Sequence, residues 1–116
     1  MGSNALLFGW NRSIPGRERI SGAHFEEFVG YLTGLQEAGT IESFDVVFLN
    51  NHGGDLNGFF LIRGEHAHLG TMMSSPEWEQ HMIRAAMHLE ESGAIRGVTG
   101  ERVAERMALW TASIPD

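Results

Sequence analysis

The sequence predicts an α+β fold in which an antiparallel four-stranded sheet carries helices on one face, in the order strand, helix, strand, strand, helix, strand, with a further helix at the C-terminal end. Two observations carry this expectation. Between Phe44 and Arg63 the apolar run Phe44-Asp45-Val46-Val47-Phe48-Leu49 passes through the turn-rich Asn50-Asn51-His52-Gly53-Gly54-Asp55 into a second run, Phe59-Phe60-Leu61-Ile62, which is the pattern of a hairpin. Amphipathic segments at helical spacing flank that hairpin on both sides, and short apolar runs lie beyond them.

Taken in order, Ala5 to Trp10 reads as a buried first strand. Asn11 to Arg17 reads as a loop, because Pro15-Gly16 is a turn dipeptide. Ser21 is the expected cap of the first helix, with Phe25, Phe28, Val29, Leu32 and Leu35 on one side and Gly39 as the stop. Gly30 and Gly34 either weaken that helix or permit close packing. After the hairpin, Gly64 to Met73 suits a short helical turn. Ser75-Pro76-Glu77 combines a capping serine, a proline at the first helical position and an acid in the first turn. The stripe Trp78, Met82, Ala85, Ala86 and Leu89 follows, ended by Ser92-Gly93. Ala94 to Val98 is the candidate fourth strand, and Thr99 the candidate cap of a last helix bearing Val103, Met107 and Trp110 on one face.

The 116 residues suit one domain, 1–116, able to bury roughly 65% of its extended-chain surface. Cysteine is absent, which removes disulfides, thiolate metal sites and cysteine nucleophiles together. Lysine is absent as well, so Schiff-base chemistry and a P-loop lysine are excluded. A net charge of -7 repels phosphate backbones, and no nucleic-acid partner is expected. No apolar run approaches the roughly 20 residues of a membrane span. The start Met1-Gly2-Ser3-Asn4 has no basic leader, so no membrane association and a cytoplasmic location are expected.

Strand alternation puts Phe59, Leu61 and Arg63 on one face and Phe60 and Ile62 on the other. The preceding strand divides likewise into Phe44, Val46, Phe48 and Asp45, Val47, Leu49. Both faces are mostly apolar, yet helices cover one. A second copy of the sheet would cover the other, and a homodimer is the expectation.

This βαββαβ order with a C-terminal helix resembles the ferredoxin-like dimeric α/β-barrel superfamily, which includes antibiotic-biosynthesis-monooxygenase-like, YCII-like, EthD-like and stress-responsive barrel families. The segments Gly9-Trp10-Asn11 with Ile14-Pro15-Gly16-Arg17, His52 to Gly58, and Leu61-Ile62-Arg63-Gly64 look like those of small proteins of uncharacterised function within it. The resemblance implies a homodimer with sheets back to back and a ligand cleft between each sheet and its helices. Known members include cofactor-independent oxygenases, haem-degrading enzymes and isomerases, so the fold alone does not choose an activity. Asn11, Trp78 and His81 supply the residue types of the haem-degrading branch, but the spacing does not match, and no cofactor is expected.

The residues that could carry chemistry are mainly histidines, six in all. His81 and His88 lie seven residues apart on one helix, near Arg84, and His24 and Tyr31 have the same relation on the other. Facing one cleft, they would orient a polar head over an apolar bed; otherwise they are boundary residues keeping one ring nitrogen in water. His66-Ala67-His68 offers half a metal site without a third ligand, and no metal is expected. Gly53, Gly54 and Gly58 serve hairpin reversal, since no capped helix or lysine follows. Arg63 meets either a carboxylate partner or a ligand anion. Trp10 and Asn11 stand where the first strand opens into its loop, where they serve as site residues or loop anchors. Ser13 and Ser21 show no hydrolase triad, and Met72, Met73, Met82, Met87 and Met107 suit adaptable packing. The expected function is binding of a small apolar or aromatic molecule between sheet and helices by Trp10, Asn11, His24, Tyr31, Arg63, His81 and His88. The alternative is a cofactor-independent monooxygenase-like or isomerase-like enzyme with His81 or His24 moving a proton.

Overall fold

A computed structural model describes residues 2–116. Strand β1 (Ala5–Trp10) leads through a two-residue strand β2 (Arg12–Ser13) into helix α1 (Glu18–Glu37). The hairpin is β3 (Ser43–Phe48) and β4 (Gly58–Arg63). Helices α2 (His66–Met73) and α3 (Pro76–His88), the short strand β5 (Leu89–Glu90), strand β6 (Gly93–Gly97) and helix α4 (Arg102–Ala112) complete the chain. The main sheet runs β3-β4-β1-β6 with every neighbouring pair antiparallel. Helix α1 therefore crosses from β1 to β3 and leaves a slot that β4 fills. The α2–α3 crossover leaves a second slot for β1. The fold is α+β, as the element order predicts.

Register follows from which side chains must be hidden. Leu6 pairs with Ile62 and Phe8 with Phe60, and all four point to the helical face, where Phe28 and Leu32 of α1, Leu69 and Met72 of α2, and Trp78 and Ala85 of α3 close over them. A slip of one residue would expose this set. Phe25, Val29 and Leu35 flank it partly buried, so the stripe expected for α1 packs as its spacing requires. The helix ends in paired bonds, Gly39 N–H to the Gln36 carbonyl at 3.1 Å and Thr40 N–H to the Leu35 carbonyl at 2.9 Å. That closure places Gly39 at φ 77°, a backbone region glycine enters without the strain a Cβ would bring.

Several boundaries differ from the sequence expectation, each for a non-local reason. Helix α1 begins at Glu18 after Arg17 rather than at Ser21, whose hydroxyl is drawn into bonds with Ser13 and His88. Helix α3 stops at His88, four residues early, because Leu89 and Glu90 pair with Ser13 and Arg12. Ala86 is consequently exposed, and Leu89 packs from a strand. Thr99 does not cap α4. Its N–H and carbonyl are both held by the Asn4 amide, at 2.8 and 3.1 Å, and Glu101 occupies the cap position. No atom lies near an added Cβ at Gly30 or Gly34, so neither glycine serves close packing.

The Ser75 cap is as expected. Its hydroxyl accepts from Trp78 N–H at 3.2 Å and donates to the Met72 carbonyl at 2.7 Å, joining the end of α2 to the start of α3, with Pro76 as the first helical residue. Ser75→Ala is expected to lower stability by about 1–2 kcal/mol, read as a fall in the urea midpoint at unchanged slope. A midpoint indistinguishable from wild type would show that water replaces the cap at no cost.

The other sheet face carries Leu7, Val47, Phe59, Leu61 and Ile95, with the Arg63–Asp45 ion pair (2.7 Å) at its end. None of the five apolar residues joins the core, and Ile95 is 70% exposed. Helix α4 likewise buries none of its residues, leaving Val103, Met107 and Trp110 in solvent on one stripe.

Candidate functional site

Between the helical face of the sheet and helices α1 and α3 lies a cleft of about 310 Å³. Phe8, Trp10, Phe48 and Phe60 rise from the sheet, and Phe25, Phe28, Met82 and Ala85 descend from the helices. The rings meet one another at aromatic distances, Phe28 to Phe60 edge-on at 4.9 Å and Trp10 to Phe60 at 5.9 Å. The Trp10 indole lies against Gly58, where a Cβ would come within 2.5 Å of the ring, so the strand start must be glycine for the tryptophan to turn inward.

One strip of this apolar wall is polar. Ser13 Oγ lies 2.7 Å from Ser21 Oγ, and Ser21 Oγ lies 2.7 Å from His88 Nδ1. His88 Nε2 is 2.7 Å from His24 Nδ1, and His24 Nε2 is 3.0 Å from His81 Nδ1. Five side chains from β2, α1 and α3 thus form one continuous line of hydrogen bonds. The His24 and His81 rings are within 10° of parallel with centroids 5.2 Å apart, whereas the His24 and His88 rings meet at 83° with centroids 5.0 Å apart. Tyr31 packs its ring against that of His81 with centroids 4.6 Å apart.

The chain folds this way because α1 and α3 run side by side, so positions at the edges of their apolar stripes meet. His24 is one residue before Phe25, and His81 and His88 bracket Ala85. The β2–β5 ribbon closes the end. Ile14 N–H donates to the His88 carbonyl at 2.8 Å, and Arg12 pairs with Glu90 at 2.8 Å, which brings Ser13 over the last turn of α3.

His24 and His88 are 5% and 3% exposed. Burial of the charged form is the first cause that pushes the His24 imidazole down to about 4; the Arg84 guanidinium and the two neighbouring histidines act in the same direction, and Glu27 opposes them. His81 and His88 are also held below the ordinary histidine range by burial and then by Arg84. Arg84 itself is engaged with Glu27 at 2.6 Å on the exposed side of the helices. At neutral pH the three rings are therefore uncharged, each with one N–H and one lone pair. Both nitrogens of His24 are occupied by its neighbours, so the line of rings does not converge on a point as metal ligands do. Among the described residues no cluster of three or more histidines and carboxylates is placed to hold a metal ion.

Of the residues singled out from sequence, Trp10, His24, His81 and His88 line the cleft. Tyr31 packs on the His81 ring and does not itself line the cleft. Asn11 turns away: its side-chain carbonyl accepts from the Asn57 amide at 2.7 Å and anchors the loop after β3. Arg63 is on the opposite face of the sheet, bonded to Asp45, so it meets a carboxylate rather than a cleft ligand. Ser13 and Ser21, which show no triad in sequence, join the strip only through the fold. Ser21 lies three residues before His24, one turn away on the same face of α1, and that spacing is the signal that could have found it.

No protein-family model and no curated protein sequence matches the chain. Among solved structures, a dimeric protein of unknown function and ferredoxin-like fold from Bacteroides fragilis NCTC 9343 is similar with a TM-score of 0.58 at 13% identity, over 85% of this chain and 98% of that one. At this identity the likeness concerns the fold, which is ferredoxin-like. No described helix is long and apolar enough to cross a membrane.

Proposed function

We propose that the protein is a homodimer, in the manner of the dimeric α/β barrels, whose cleft binds a compact, uncharged aromatic or apolar molecule with its polar end against the histidine strip. The observation that carries this reading is the cleft itself: about 310 Å³, walled by aromatic rings, with a single polar strip and no charged side chain among its lining residues. A charged ligand would have to shed its water against rings and neutral imidazoles, with no counter-ion to offset the loss. A neutral planar molecule keeps its ring contacts and finds hydrogen-bond partners on one edge only. The apolar outer face of the sheet and the unburied stripe of α4 support the dimer, because a lone chain leaves Ile95 and that stripe in water and Leu7, Val47, Phe59 and Leu61 only half-buried.

A melting screen with indole, naphthol and benzoylacetone tests the cleft. Binding at a hundredfold excess over Kd is expected to add about 2.7 kcal/mol and raise Tm by several degrees. Trp10→Ala is expected to weaken that binding by about tenfold or more, through loss of one wall. Identical shifts in wild type and Trp10→Ala, or none in either, would remove the cleft as the binding site.

A further inference from the structure

We propose that the cleft interconverts the keto and enol forms of a neutral aryl carbonyl compound, with His81 Nε2 carrying the proton and His24, His88 and Ser21 as the positioning residues that back it. This rests on the cleft being a site for a neutral small molecule, and adds the chemistry performed there.

Along its three rings the hydrogen-bond line allows only two arrangements, while the two hydroxyls share the His88 carbonyl as a further acceptor. In one, Ser13 donates to the His88 carbonyl (3.3 Å), Ser21 donates to Ser13, and each Nδ1–H passes a bond along: His88 to Ser21, His24 to His88, His81 to His24. His81 Nε2 is then left with a lone pair. In the other, every bond reverses, His81 Nε2 carries the hydrogen, and the bond from Ser13 to the His88 carbonyl is lost. The first makes one more hydrogen bond and is the resting arrangement. His81 Nε2 has no hydrogen-bond partner among the described residues and is not a buried orphan atom, so it is the open end of the line.

Adding one proton at that end breaks nothing. His24 can become the imidazolium and donate to both neighbours, with His88 still donating to Ser21 and His81 Nε2–H turned to the ligand. A second proton would force two N–H groups to face each other across one of the short bonds. The trio is thus a base of capacity one whose charge is shared over three rings, in surroundings that return the proton readily. The charged and titratable groups facing it from α1 and α3 are Arg84, Glu27 and Tyr31, the first two bonded to each other.

The reaction balances without a co-reactant. A C–H bond next to the ligand carbonyl breaks and its proton moves to His81 Nε2. The C–H electron pair becomes the C=C bond while the carbonyl π pair moves onto oxygen. Nε2–H then protonates that oxygen, giving the enol and restoring the neutral trio; ketonisation is the reverse.

Benzoylacetone, whose two forms differ in ultraviolet absorption, is the probe. Its relaxation after dilution into buffer is expected to be accelerated by about 100-fold over buffer alone. His81→Gln is expected to return the rate to background. Ser21→Ala and His24→Gln are expected to slow the reaction on the order of tenfold while the probe still binds. In the wild-type protein labelled with 15N-histidine, His24, His81 and His88 are expected to share the Nδ1–H tautomer. Mixed tautomers would overturn the line itself. Probe bound without acceleration, or an acceleration that survives His81→Gln, would overturn this proposal while the cleft reading stands. No binding of the probe would overturn both.

Discussion

Acidification from pH 6.5 to pH 4 is expected to remove roughly 2–3 kcal/mol of folding stability through His24 alone. The sign follows from the direction of the shift. In the unfolded chain His24 takes up its proton near the ordinary value of 6.5, whereas in the folded protein it does so only near 4. Between those values the unfolded state holds more protons, so stability rises with pH across the window and is lost as pH falls through it. Below about 4 the folded ring protonates too and the loss levels off. His81 and His88 are shifted the same way, first by burial and then by Arg84, and add to the slope. Urea unfolding at a series of pH values reads this directly, and His24→Gln is expected to reduce the slope by about one proton, or 1.36 kcal/mol per pH unit. Glu27 is held below the usual carboxylate range by its bond to Arg84, so its loss falls lower, beneath its ordinary value of 4.5, and does not mimic the histidine window. Equal slopes in wild type and His24→Gln would mean that His24 is not held neutral by the fold.

Leu61→Arg is expected to convert the proposed dimer of twice 12.8 kDa into a monomer of 12.8 kDa. Leu61 is central on the outer face of the sheet, directly between Leu7 of β1 and Asp45 of β3. In a lone chain the new guanidinium meets water and the Asp45 carboxylate, so the fold itself should tolerate it. Between two sheets the same cation loses its water, and Asp45 is already shared with Arg63. An uncompensated charge in that seam costs several kcal/mol, enough to weaken association on the order of 100-fold or more. Sedimentation of both proteins at micromolar concentration is the measurement. A wild-type chain that already sediments as a monomer would leave the apolar face unexplained and dismiss the second copy as its cover.

The parts of this protein legible in sequence are those whose cause is local. Gly39 ends α1 because only a few neighbouring bonds must close. Ser75 and Pro76 start α3 within one turn of chain. The alternation in β3 and β4 assigned Phe60 and Ile62 to the helical face and Phe59 and Leu61 to the other, because strand geometry permits nothing else. The misplaced boundaries are equally instructive. Ser21, Leu89 and Thr99 each have a local role that their residue type favours, yet each is claimed by a partner 67 or more residues away in sequence or by the ribbon that such a partner forms.

By itself, then, the sequence determined the order and faces of the elements, the absence of cysteine and lysine chemistry, and an apolar surplus on the sheet, since these depend on periodicity and composition. Only the tertiary structure decided that His24, His81 and His88 share one line, that Ser13 and Ser21 extend it, and that Asn11 and Arg63 stand apart. The physical reason is reach. A periodic pattern says which way a side chain points, but hydrogen bonds shorter than about 3 Å across 57 and 64 residues of sequence depend on how two helices lie against each other, and no spacing within either helix records that.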